Sequence, residues 1–183
     1  MDHRDHVFLL SGGVSPGPGP QPAVWADIGS GRGAFTLALA ELLGPGGQIH
    51  SVDRDGHALR IQQEALRERF PDTTVQFHKS DFTRRLDLPV LDGLVMANAL
   101  HFVPDGRKES VVAGLTGLLR PGGHFILVEY NVDHGNLWVP HPLSYPAWER
   151  LAARCGFAPG GTRLLAKRPS SFLHEFYAAL SVL

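Results

Sequence analysis

Apolar positions along the chain fall into two alternating patterns, short continuous runs and longer stretches with helical spacing. The first run, Ala23-Val24-Trp25-Ala26-Asp27-Ile28, ends at Gly29, Gly31 and Gly33 and predicts a strand. A helix pattern follows over 34–43, stopped by Gly44-Pro45-Gly46-Gly47. Residues 48–52 predict a second strand ending at Asp53, and 55–70 an amphipathic helix with Leu59, Ala65, Leu66 and Phe70 in its apolar stripe. Strands are expected at 74–78, 91–97 and 124–129, and helices at 108–119 and 144–155. Two last strands, 162–167 and 173–180, joined through Pro169-Ser170-Ser171, form a hairpin pattern. Strands alternating with helices imply βαβ units, hence an α/β fold whose mostly parallel sheet is covered on both faces. Ligands on such sheets bind beyond the C-terminal strand ends, where the strand order reverses.

The N-terminal part reads differently. Asp2 to Leu10 has the makings of one or two helical turns, and Ser11 to Pro22 is a Gly/Pro linker that holds neither a helix nor an inner strand. The chain therefore divides into an N-terminal segment, 1–22, and a single domain, 23–183. With 183 residues, one domain is the default, and 43% hydrophobic against 19% charged residues fits a globular fold. The net charge of −1 lacks the basic surplus of a nucleic-acid binder. No apolar run reaches the ~18 residues that span a bilayer, and Val7 to Leu10 is too short for a signal peptide, so a cytoplasmic location is expected. The one cysteine, Cys155, excludes an internal disulfide and reads as a small buried hydrophobe. Ten histidines are present, but none forms H-x-x-x-H on a helix or joins a carboxylate cluster, so no metal is expected.

Candidate chemistry begins at Asp27-Ile28-Gly29-Ser30-Gly31-Arg32-Gly33-Ala34. Glycines there allow a sharp turn and let a ligand approach the N–H groups at a helix start. Asp53 follows Gly33 by 20 residues, the place for a carboxylate that grips ribose hydroxyls. Gly29, Gly31 and Ala34 also satisfy the dinucleotide pattern G-x-G-x-x-G/A, which keeps an NAD(P)-dependent oxidoreductase open. Asp27, two residues before the first glycine, suits a cationic amino group and would repel a pyrophosphate. Asp81 and Phe82, after the third strand, offer a carboxylate for an exocyclic amine and an aromatic edge for a base. Together these favour a ligand with adenine, ribose and an ammonium but no phosphate.

From about Val24 to Leu183 the chain resembles the class I S-adenosylmethionine-dependent methyltransferases of the small-molecule type. The resemblance implies a Rossmann-like three-layer sandwich with a seven-stranded sheet and an antiparallel C-terminal hairpin edge. It implies S-adenosylmethionine as cofactor, leaving as S-adenosylhomocysteine. Asp27, Gly29, Gly31 and Gly33 would line its methionine part, Ser30 would also bind the cofactor, Asp53 would hold the ribose and Arg54 would flank it. Asp81 and Phe82 would contact adenine, and Asn98 would border the methyl-donor pocket. A non-catalytic cofactor-binding protein is the alternative from another class, although its expected signature, a damaged donor loop, is missing.

Methyl transfer from a sulfonium needs alignment and water exclusion, and a base only when the acceptor must lose a proton. His101, in Ala97 to Val103, is the base candidate, or else a histidine that packs against the donor. Tyr130 to Tyr145 holds two His, two Tyr, a Trp and two Asn, an acceptor wall from which Tyr130 and His134 are the candidate catalytic groups. His3 to Leu10 is expected to fold over the pocket as a short lid. So little chain outside the sheet implies a small-molecule acceptor, or a pocket completed by a second copy in a homodimer.

Overall fold

The computed structural model describes residues 1–15 and 21–183; the middle of the predicted Gly/Pro linker, 16–20, lies outside the described residues. The elements are α1 (His3–Ser11), β1 (Val24–Ile28), α2 (Ala34–Leu43), β2 (Gln48–Asp53), α3 (Gly56–Arg69), β3 (Thr74–Lys79) and β4 (Leu91–Ala97). A 3-10 turn (Leu100–Phe102) follows, then α4 (Asp105–Thr116), β5 (Leu119–Tyr130), α5 (Tyr145–Ala152), β6 (Thr162–Pro169) and β7 (Glu175–Val182). Seven strands form one sheet in the order β3-β2-β1-β4-β5-β7-β6. The first five pair in parallel, while β7 runs antiparallel to both β5 and β6, which gives the expected hairpin edge.

Alternation along each inner strand splits the core in two. Ala26, Ile28, Leu94, Met96, Phe125 and Leu127 face α4 and α5, while Trp25, Val95, Ile126 and Val128 face α1 and α2. The three layers of an α/β sandwich result.

Three elements start two or more residues away from the sequence pattern, each for a local reason, and α4 and α5 each end three residues early. β5 starts at Leu119, which pairs with Leu91; register resumes at Gly93 and His124, so residues 120–123 bulge out. That bulge seats the chain end, with Gly122 N–H donating to Leu183 O (2.8 Å) and Leu183 N–H to Gly123 O (3.0 Å). α4 begins at Asp105, directly after Pro104, because an acidic first turn is a better start than Lys108. β7 is displaced to Glu175–Val182 because Ser170 N–H bonds His174 O (2.8 Å) and widens the hairpin turn. Outermost, β6 presents Arg163, Lys167 and Arg168, ends at Pro169, and shifts register between Leu164 and Ala166.

α1 is longer than one or two turns because Asp2 and Asp5 form a capping box, Asp5 N–H donating to Asp2 Oδ1 at 3.0 Å. It does not lie over the strand ends as the lid expectation had it. Leu9 and Leu10 are fully buried, His6 packs on Phe35 of α2, His3 bonds Glu41 (2.7 Å), and Asp5 pairs with Arg168. Undocking the two leucines alone would cost about 3–6 kcal/mol, so α1 belongs to the body of the domain. No helix among the described residues is long and apolar enough to cross a membrane.

Trp25 fills the space that Gly93 leaves on the neighbouring strand; a Cβ at Gly93 would stand 2.5 Å from the indole ring. Gly93→Ala should therefore lower stability by about 1–3 kcal/mol, measured as a reduced urea midpoint with a changed Trp25 fluorescence baseline.

Candidate active site

The chain leaves β1 toward α2 on one face and leaves β4 toward α4 on the other. The crevice that opens between them holds a cavity of about 320 Å³ lined by Gly29, Gly31, Asp53, Arg54, Asp81, Phe82, Asn98 and Phe102 among others. A larger cavity of about 460 Å³ lies beside it under α4, but it holds none of the glycine loop or of Asp53. Chemistry, not size, identifies the site.

The glycine loop takes its shape from backbone geometry that other residues resist. Gly29, Gly31 and Gly33 all have positive φ, and a Cβ at Gly29 would meet Ala99 Cβ at 2.6 Å. At Gly31 a Cβ would meet no protein atom within 4 Å, since that position faces open space. Asp53 Oδ2 accepts from Gly31 N–H (2.7 Å) and Oδ1 from Asp55 N–H (2.8 Å), so the carboxylate is held in place at the rim. Asp81 accepts from both Thr83 N–H (2.9 Å) and Thr83 Oγ1 (2.8 Å), bonds that hold its carboxyl below the usual range.

Not every residue of the loop faces the cavity. Ser30 is turned inward, its Oγ 2.8 Å from Ser51 Oγ and 3.0 Å from Gln62 Nε2. The Ser30 hydroxyl thus serves an internal tie and does not line the cavity. Gly33 is buried and does not line the cavity; a Cβ there would stand 2.4 Å from Gln62 Cβ, so the glycine lets α3 pack against the loop. Gln62 Nε2 also donates to Gly31 O (3.0 Å). Sequence reasoning missed Gln62, although a polar residue between Leu59 and Leu66 on the apolar stripe was its signal.

Asp27 is buried beneath the loop and its Oδ2 accepts from Thr36 Oγ1 at 2.6 Å. Burial pushes its carboxyl up to about 7, the Thr36 hydrogen bond opposes the rise, and the Asp53 charge adds to it. Asn98, at the end of β4, has a left-handed backbone (φ 51°) and a buried Oδ1 without a partner. An orphaned acceptor on the cavity wall marks a place for a donor from a ligand.

His101 stands on the 3-10 turn after β4 and is almost fully buried. Its Nδ1 lies 2.7 Å from Glu129 Oε2, and its backbone N–H donates to Glu129 Oε1 (3.2 Å). Glu129 is completely buried at the end of β5, and sequence reasoning missed it because it reads as one more residue of an apolar strand. Held this way, the Nδ1–H donates to the carboxylate and the Nε2 lone pair is left for other work; Nε2 has no hydrogen bond among the described residues. Tyr130 is brought close, its ring centroid 6.2 Å from that of His101. His134 is exposed and makes no side-chain bond or ring contact among the described residues, so the structure does not gather it with the other two.

Lys108 is a further unpredicted participant. Its buried Nζ donates to His141 O (2.6 Å), Pro142 O (3.4 Å) and Asp105 Oδ1 (2.7 Å), pinning the connection after β5 onto α4. His141 N–H donates in turn to His101 O (3.1 Å), so the pin reaches the turn that holds the imidazole.

A parallel sheet with one antiparallel hairpin edge, a glycine loop after β1 and a carboxylate ending β2 define a class I S-adenosylmethionine-dependent methyltransferase fold. Residues 23–152 match the model of a methyltransferase-domain family, and the chain belongs to that family. Among solved structures it is similar to the Bacillus subtilis YcgJ protein (TM-score 0.73, 13% identity, 98% of each chain covered). It is likewise similar to the arsenic(III) S-adenosylmethionine methyltransferase of Chlamydomonas reinhardtii (TM-score 0.70, 20% identity, 93% of this chain and 67% of that one). In sequence it is 28% identical over 107 residues to the ubiquinone/menaquinone biosynthesis C-methyltransferase UbiE of Azotobacter vinelandii, covering 57% of this chain and 41% of that one. It is 28% identical over 179 residues to mouse acetylserotonin O-methyltransferase, covering 85% of this chain and 43% of that one. The chain spans less than half the length of each of these two relatives.

Two outcomes test the site. Because the folded Asp27 carboxyl titrates above its unfolded value of 3.8, its contribution to stability is present in acid and is lost as pH rises toward 7. Asp27→Asn should therefore raise the melting point of the ligand-free protein relative to wild type at pH 8, with the gain shrinking by pH 5. Lys108→Met leaves two carbonyls unpaired and should cost about 1–3 kcal/mol, with amide exchange accelerated in 131–144 and unchanged in the glycine loop.

Proposed function

We propose that this domain transfers the methyl group of S-adenosylmethionine to a small-molecule acceptor. The observation that carries the reading is the polarity of the crevice: Asp53, Asp81 and Asn98, whose Oδ1 is orphaned, line it, Asp27 lies beneath it, and among the described residues Arg54 is its one cationic side chain. That set of acceptors suits ribose hydroxyls, an exocyclic amine and an ammonium, and it is unfavourable for a pyrophosphate. The cofactor fits these residues, and when bound it supplies an activated methyl on a positively charged sulfur.

The chain's own residues do the remaining work. Asp53 accepts from the ribose hydroxyls, and Asp81 with Phe82 holds the adenine. Asn98 Oδ1 and the Asp27 carboxylate receive the ammonium; a cation beside Asp27 favours its ionised form and offsets the burial that raised it. Gly29 and Gly31 allow close approach of the backbone, and Gln62 keeps the loop rigid from behind. At the reacting end, His101 accepts a proton at Nε2 while Glu129 orients the ring and stabilises the imidazolium. Phe82 and Phe102 line the crevice with apolar faces that disfavour water beside the reacting centre.

Calorimetry with S-adenosylhomocysteine and, separately, NAD+ tests the reading. Binding of the first and not the second is expected, and the reverse would assign the crevice to an oxidoreductase. With an acceptor that must lose a proton, Glu129→Gln should lower kcat/KM about a hundredfold while leaving S-adenosylhomocysteine affinity unchanged.

A further inference from the structure

β3 ends one side of the sheet and carries none of the devices that usually keep such an edge from pairing. Its sequence is Thr-Val-Gln-Phe-His-Lys, with the lysine in last position and no proline. It pairs with β2 in unbroken register from Thr74 to Lys79. Two bonds fix the direction of its backbone groups. Thr74 N–H donates to Gly47 O (3.0 Å) and Ser80 N–H to Asp53 O (3.0 Å), so the even positions between them turn inward to β2. Val75 and Phe77 therefore turn a donor and an acceptor each outward, on an edge that no other described strand covers. Their half-buried side chains lie on the α3 face, where with Leu66, Arg67 and Phe70 they line a cavity of about 280 Å³.

A second, antiparallel β3 meets these groups in one register, with Gln76 opposite Gln76 on a two-fold axis. Val75 of each copy then stands opposite Phe77 of the other, and each such pair exchanges N–H···O bonds in both directions. The side chains that face each other beside the cavity are apolar on both strands. A slide of one residue sets inward-turned groups against outward-turned ones. A slide of two sets Val75 against Lys79, or Phe77 against Thr73. Charge selects the same register. Asp72 and Lys79, at the two ends of the strand, are exposed and belong to no ion pair among the described residues. The antiparallel register places Lys79 opposite Thr73 of the second copy and next to its Asp72, so that opposite charges meet at both ends. A parallel copy would bring aspartate to aspartate and lysine to lysine.

The geometry points to the β3 edge as a self-pairing surface, through which two copies of this chain join by antiparallel β3 strands about an axis at Gln76. Two seven-stranded sheets become one, and the contact closes after two copies because each side uses the same patch. The inference does not depend on the methyl-transfer reading. It does adjoin the crevice, since the same register brings the 71–72 turn of the second copy beside Ser80 and Asp81.

Sedimentation of the full chain through a dilution series from millimolar to micromolar, with amide exchange followed by NMR, tests the inference. A dimer is expected to form as concentration rises, and the Val75 and Phe77 N–H groups to gain protection with it. Gln76 and His78, already bonded to β2, should keep the protection they have in the monomer. Gln76→Lys and Gln76→Glu, at an exposed position, each set like charges face to face on the axis and should weaken the dimer roughly fivefold. Mixing the two variants should restore it, a rescue that a folding defect would not allow. A chain that stays monomeric at millimolar concentration overturns the inference, as does a dimer that protects other amides or ignores both substitutions. Protection of Val75 and Phe77 only by an extended segment of a different protein overturns it as well.

Discussion

The connections leaving β1 and β4 must diverge, because α2 packs on one face of the sheet and α4 on the other. Between two such strands no loop can bridge the gap, and the ends of both are left open to a ligand. Everything chemical in this domain is arranged around that opening. The glycine loop bounds it from β1, Asp53 from β2, the 80–83 segment from β3, and Asn98 with the 3-10 turn from β4. Each of these groups sits at the end of a strand or a few residues past it, where the backbone ladder fixes its position and only the side chain remains to be chosen.

Two buried polar assemblies stiffen the opening from opposite sides. Behind the glycine loop, Ser30, Ser51 and Gln62 share hydrogen bonds across β1, β2 and α3. Behind His101, Glu129 accepts from both the ring and the backbone N–H of the same residue, so the turn and its side chain are held together. A buried carboxylate with only one partner would be costly; the second bond and the imidazole offset the loss of water. Lys108 works the same way, satisfying carbonyls that no strand or helix reaches.

The fold was legible in the sequence because βαβ chains announce themselves: short apolar runs, helical stripes, and glycines at the joints. The placement of Asp53, Asp81, Phe82 and Asn98 on the crevice was legible for a related reason, since each ends a strand or follows one within three residues. What escaped was polarity hidden inside apolar patterns. Glu129 sits at the end of a run of buried strand residues, and nothing local marks it as the partner of a histidine 28 residues earlier on the adjacent turn. Gln62 occupies a core position of α3 for the sake of a loop, not of the helix. α1 was misjudged because a short amphipathic segment before a Gly/Pro stretch can cover a pocket or a sheet with the same residues. Only its leucines, buried against α2, decide between the two.

The outer edge of the sheet bears on how copies of the chain can meet. β6 carries Arg163, Lys167 and Arg168 within eight residues, closes on a proline and breaks its own ladder register midway. A second β6 laid alongside would bring cation against cation and find a kinked, donor-deficient rim. Continuous growth of the sheet from one molecule into the next is blocked on this side, which leaves the β3 edge and the helical layers as the faces through which two copies can meet.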